Sequence, residues 1–68
     1  KMSSIKQAQD ALDKRDYKNA YKLFNLAFED GESAFVLQGL AECSYFLGNK
    51  RDAVRYANNA LSLDANLH

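Results

Sequence analysis

Apolar residues recur every three to four positions along four stretches of the chain, the spacing that gathers side chains on one side of a helix. The first stretch runs from about Ile5 to Lys14, with Ile5, Ala8 and Leu12 on a shared face. Ser4 is the expected cap, and Gln7 three residues later completes a capping box, in which the two side chains satisfy backbone N–H groups left free at a helix start. The second stretch runs from about Tyr17 to Glu29 on a stripe of Tyr17, Ala20, Tyr21, Phe24, Ala27 and Phe28. Asp16 precedes it, and its carboxylate can accept the N–H groups of the first turn.

A break follows over residues 29–33, with Gly31 at its centre and Ser33 placed to cap the next helix. The third stretch, about Ala34 to Leu47, is apolar nearly all round, which predicts a central, buried helix. It carries two apolar faces. One holds Leu37, Leu40, Ala41 and Ser44, and the other Phe35, Tyr45 and Phe46. Both cannot point into one hairpin, so one of them must meet something else. Gly48 ends this helix by accepting the left-handed conformation past its last turn. Asn49 caps the fourth stretch, about Lys50 to Leu63, whose stripe is Ala53, Val54, Ala57, Ala60 and Leu61. Connections this short force antiparallel neighbours.

The two halves repeat. A shift of 33 residues places Ala8 on Ala41, Ala20 on Ala53, Asn25 on Asn58, Ala27 on Ala60, Asp16 on Asn49 and Phe28 on Leu61. Small residues at equivalent sites mean two helices crossing closely in each half, the signature of a helical repeat. Gly48–Asn49, Ala53, Ala60 and the run Leu61-Ser62-Leu63-Asp64 resemble the tetratricopeptide repeat, as do Asp16–Tyr17, Ala20, Phe24 and Ala27 in the first half. The resemblance covers the chain as two units, about 2–31 and 33–67, forming one module over 1–68. The family's tryptophan-like site holds Ser4 and Leu37, its first-helix small residue is Ala8 or Ala41, and its closing proline is replaced by Ala65. The expected fold is therefore all-α: two tandem antiparallel helix–turn–helix repeats, an α-solenoid fragment, with Ala8, Ala20, Phe24, Ala27, Ala41, Ala53 and Ala60 as its packing residues.

Composition narrows the function. With 47% apolar residues the 68-residue chain is too hydrophobic for a disordered tail. Nine basic against nine acidic residues give zero net charge. The basic residues Lys14, Arg15, Lys18, Lys22, Arg51 and Arg55 are diluted by acids, so no nucleic-acid footprint is expected. No apolar run approaches the ~20 residues of a membrane span, and no signal peptide is recognisable. One cysteine excludes an internal disulfide, and a reduced, cytoplasmic setting is the expectation. Cys43 lies in the apolar third helix and reads as a small buried hydrophobe. Asp10 and Asp13 read as a solvated face rather than an acid–base or metal site. The only histidine is His68 at the chain end, and no phosphate-binding glycine loop exists, so neither catalysis nor a cofactor or metal is expected. The chain opens on Lys1, which fits a segment of a longer protein.

The resemblance implies a concave groove lined by the first helix of each pair that holds a partner peptide or helix. By position its lining is Met2, Ile5, Gln9, Leu12 and Asp13 from the first unit and Phe35, Gln38, Glu42, Tyr45 and Phe46 from the second. The lysine and asparagine clamp that some members use for acidic peptide termini is replaced here by Ile5, Gln9, Gly39 and Gln38. Asp13 and Glu42 add negative charge, so an apolar, basic segment is the better fit. Val54, Ala57 and Leu61 leave a second stripe for self-association or a flanking repeat, because two units are fewer than a stack normally needs. Two other functions fit the sequence. One is a structural or oligomerising segment of a longer helical array. The other is part of a type III secretion translocator chaperone, which the run from Phe35 to Cys43 followed by Gly48 resembles.

Overall fold

The computed structural model describes residues 4–31 and 34–65. Four helices follow in order: α1 (Ser4–Asp13), α2 (Tyr17–Asp30), α3 (Ala34–Phe46) and α4 (Lys50–Ala65), with no strand among the described residues. The apolar spacing locates each of them to within about two residues. Ser4 is a correction, since it already lies inside α1 and is not the flanking cap. The residue before it, like Ser33 and Met2, is outside the described residues.

Helices pack in pairs, α1 on α2 and α3 on α4, and α3 also packs on α2 and α1. The central position of α3 follows from its all-round apolar surface: Val36, Leu37, Gly39, Leu40, Cys43 and Ser44 are all buried. One continuous core joins Ala8, Ala20, Phe24, Ala27, Val36, Leu40 and Cys43. Ala53 and Ala60 are buried as well. The alanines have a common cause, since a small side chain at a helix crossing lets two axes approach. Gly39 acts likewise. A Cβ there would fall on the ring of Phe24, so the missing side chain makes the hole that this ring fills.

The turn between α1 and α2 and the turn between α3 and α4 are copies. Arg15 N–H donates to Leu12 O at 2.9 Å and Asp16 N–H to Ala11 O at 2.9 Å. Residue for residue, 33 positions on, Gly48 N–H donates to Tyr45 O at 3.2 Å and Asn49 N–H to Ser44 O at 2.8 Å. This paired closure of a helix end needs one left-handed residue. Gly48 supplies it at φ 94° and Arg15 at φ 61°. Asp16 then starts α2 as expected, its Oδ1 accepting the Asn19 N–H at 3.5 Å and its Oδ2 the Asn19 side-chain amide at 2.7 Å.

The molecule measures 32 × 32 × 17 Å. α3 is not covered all round, since Phe35, Tyr45 and Phe46 remain exposed on it. No helix among the described residues is long and apolar enough to cross a membrane.

Candidate functional site

A cleft of about 660 Å³ opens between α1 and α3, and it is built from three helices and a turn. From α1 come Gln9, Leu12 and Asp13, which the helical period stacks on one face. From α3 come Phe35, Gln38, Glu42 and Phe46, at intervals of three and four that keep them in one line. Gly39 lowers the floor between them, and Phe24 of α2 closes it from below. Arg15 of the turn and Tyr17 at the start of α2 form one end.

The aromatic residues are arranged by depth. Phe24 is fully buried and meets Phe35 edge-on, with centroids 6.3 Å apart and the planes at 66°. Phe35 itself stays 49% exposed. Phe46 stacks on Tyr17 at 4.5 Å and 13°, and its outer side remains open to solvent. Polar groups form the rim. Gln9 Nε2 donates to Asp13 Oδ1 at 3.3 Å, holding that carboxylate beside the cleft. Asp13 and Glu42 are acidic and exposed, and Arg15 is the cation among the lining residues. Such a surface can bury apolar side chains on its floor and attract cations at its rim. Cys43, next to Glu42 along α3, is a free and fully buried thiol of the core. Burial first, and then the neighbouring Glu42 carboxylate, push the thiol up to about 11, which leaves it protonated and unreactive near neutrality.

Met2 lies outside the described residues, and seven of the other nine residues expected for the groove come together here: Gln9, Leu12, Asp13, Phe35, Gln38, Glu42 and Phe46. Ile5 and Tyr45 do not. Ile5 is half-buried and packs against the core. Tyr45 precedes Phe46 directly, and one residue turns an α-helix by roughly 100°. It therefore swings out of the Phe35–Phe46 line and lines a second hollow, touching Phe46 only edge-on at 5.4 Å. Arg15, Tyr17 and Phe24 are cleft residues that the sequence reasoning missed, and Gly39 was placed there only as a replaced clamp position. The 33-residue shift held the signal for Arg15, because it aligns Arg15 with Gly48 and so with a tight turn.

The second hollow, about 490 Å³, lies between α3 and α4 and shares Glu42 with the cleft. Ala41, Tyr45, Ala53, Val54 and Ala57 line it, with Glu42 and Lys50 at its edges. The expected stripe Val54, Ala57 and Leu61 is exposed, Val54 to 61% and Leu61 to 66%. Between α2 and α4 the Tyr21 and Tyr56 hydroxyls meet at 3.3 Å. That hydrogen bond is the main cause holding the Tyr56 phenol above its ordinary range. Of the basic residues, Arg55 pairs with Asp52 at 3.2 Å. Compared with known proteins, the chain matches no family model, no curated protein and no solved structure.

Proposed function

We propose that the chain is a tetratricopeptide-type pair of repeats that binds another protein, taking a partner segment into the α1–α3 cleft. The observation that carries this reading is the open aromatic line on α3. Phe35 and Phe46 are about half exposed although each is already positioned by a second ring. Rings held rigid but left wet are the anchors that dominate protein interfaces, because they bury much area and lose little conformational entropy on binding. The duplicated turn hydrogen bonds support the repeat assignment independently of any packing residue.

The charge of the rim supports one kind of partner. Asp13 and Glu42 favour a segment with one or two apolar anchors next to Lys or Arg, and Gln9 and Gln38 offer amide groups to its backbone. Random peptides displayed on phage and selected on the full chain provide the test. Selected peptides are expected to combine an aromatic or large aliphatic residue with a basic neighbour. They should lose roughly tenfold or more in affinity on Phe35→Ala. Glu42→Lys should weaken them most at low salt, where charge attraction is least screened. Peptides indifferent to both substitutions would sink the reading.

A further inference from the structure

The two turns form one edge of the molecule. Consecutive helices pack side by side across short connections, so they alternate in direction. The α1–α2 and α3–α4 turns therefore lie together, and the stack of Tyr17 on Phe46 joins them directly. The start of α1 and the end of α4 lie at the opposite edge. Along the turn edge stand Lys14, Arg15 and Lys18 from the first unit and Lys50 and Arg51 from the second, all of them exposed. They are five of the nine lysines and arginines of the chain. Lys18 and Arg51 occupy the same place in the two repeats, 33 residues apart. The acids nearby are engaged within the fold. Asp16 caps α2 through Asn19, Asp13 accepts from Gln9, and Asp52 pairs with Arg55. Even with Asp13 and Asp16 counted in full, positive charge exceeds negative along this edge, and Asp52 is balanced by Arg55.

The helices gain nothing from this placement. Lys18, Lys50 and Arg51 stand in the first turns of α2 and α4, at the positive ends of the helix dipoles, where cations are disfavoured. Among them, the second turn exposes three consecutive large apolar side chains, Tyr45, Phe46 and Leu47. Leu47 lines neither the cleft nor the hollow. We infer that the turn edge rests on the surface of an anionic lipid bilayer, with its lysines and arginines among the headgroups and Leu47 reaching the acyl boundary. Tyr45 stands beside Leu47 with the amphipathic ring that suits headgroup depth. One apolar side chain alone would hold only weakly, so the cations supply the second signal that surface binding needs. A nucleic-acid backbone would satisfy the cations but offer Leu47 nothing. A second copy docked edge to edge would bring like charges together. Chain continuing from either end of the bundle would leave from the opposite edge, where the exposed Glu29 lies near the end of α2. The inference stands apart from the cleft reading, because Leu47, Lys50 and Arg51 line no part of the cleft.

Flotation of the full chain with two kinds of vesicle tests it, one of phosphatidylcholine alone and one of equal parts phosphatidylcholine and phosphatidylserine. The chain should float with the second kind only, and less as salt rises. Lys50→Gln together with Arg51→Gln should lower the partition coefficient roughly 25-fold, since each cation near an anionic surface contributes roughly fivefold. Leu47→Gln should lower it roughly tenfold, the loss of one inserted leucine, with the salt dependence unchanged. Leu26→Gln changes a leucine of α2 that is as exposed as Leu47, and it should have no effect. These substitutions fall on exposed residues, so each variant should keep the helical spectrum. No flotation with phosphatidylserine, equal flotation with both compositions, or a loss on Leu26→Gln that matches Leu47→Gln overturns the inference. So does binding that needs Lys50 and Arg51 but ignores Leu47→Gln, since the ligand would then be a bare polyanion such as a nucleic acid. Sedimentation showing a dimer that Leu47→Gln converts to monomer overturns it as well, because the edge would then belong to a second copy.

Discussion

At the scale of single residues, the backbone of Arg15 and the buried side chains of Ser44 and Cys43 each predict a measurable response. Arg15 occupies the left-handed region at φ 61°, which costs a residue with a Cβ about 1–2 kcal/mol. Glycine there removes that cost but adds about 0.5–1 kcal/mol of unfolded-chain entropy. Arg15→Gly should therefore raise stability modestly, by up to about 1 kcal/mol, read as a higher urea midpoint at unchanged slope. A lower midpoint would mean that the arginine side chain contributes more at the cleft end than its backbone loses. Ser44 is fully buried, and its Oγ has no hydrogen-bond partner among the described residues. Ser44→Ala should stabilise by about 1 kcal/mol, because an unsatisfied buried hydroxyl costs about that much or more. The equivalent position in the first half is already alanine, Ala11. Cys43 supplies a pH test. Its thiol holds its proton to about 11 in the fold against 9.0 ordinarily. The unfolded chain ionises first, so stability is intact below pH 9 and falls as pH rises towards 11. Cys43→Ala should flatten that part of the stability profile measured against wild type.

At the scale of helices, the ends and crossings decide the arrangement. Asp16 caps α2 through two contacts to Asn19, and Asp16→Ala should cost about 1 kcal/mol. The α2–α3 crossing depends on Phe24 entering the space at Gly39. Gly39→Ala should destabilise by about 1–3 kcal/mol through overpacking, and much less in a Phe24→Leu background. A double-mutant cycle in urea measures that coupling, and additive effects would show that the ring and the glycine do not share the space. All four helices were legible in the sequence because each carries a long stripe at helical spacing, and Asp16 and Gly48 are unambiguous punctuation. The start of α1 was less legible. Ser4 and Gln7 match a capping box by residue type, but the same pattern fits a helix that begins earlier. The left-handed Arg15 was hidden because arginine gives no local sign of it, and only the alignment with Gly48 does.

At the scale of the whole molecule, core and cleft meet at one residue. Seven of the cleft residues were readable in the sequence, and Phe35, Gln38, Glu42 and Phe46 among them fall in one line along α3. Ile5 and Tyr45 were misplaced because a spacing argument fixes a face but not what packs against it. Ile5 turns to the core, and Tyr45 lies about a quarter-turn off the line. Phe24 could not be assigned to the cleft from sequence, as its neighbours Phe35 and Gly39 are distant along the chain. A chain of this length has a total stability of only about 3–10 kcal/mol. Phe24→Ala removes a fully buried ring, a loss of about 3–5 kcal/mol, which should erase or nearly erase the cooperative thermal transition. Phe35→Ala removes a ring that is 49% exposed and held by one edge contact, a loss of about 1 kcal/mol. For a domain of this size that corresponds to a fall in Tm of about 4–8 °C with the helical spectrum retained. Circular dichroism melts of the two variants separate the alternatives for the aromatic line. If Phe35→Ala unfolds the chain as Phe24→Ala does, Phe35 belongs to the core, and the cleft loses its central anchor. If the melt falls by only a few degrees, the ring is held in place yet largely unspent in folding, which is the condition an anchor for a partner must meet.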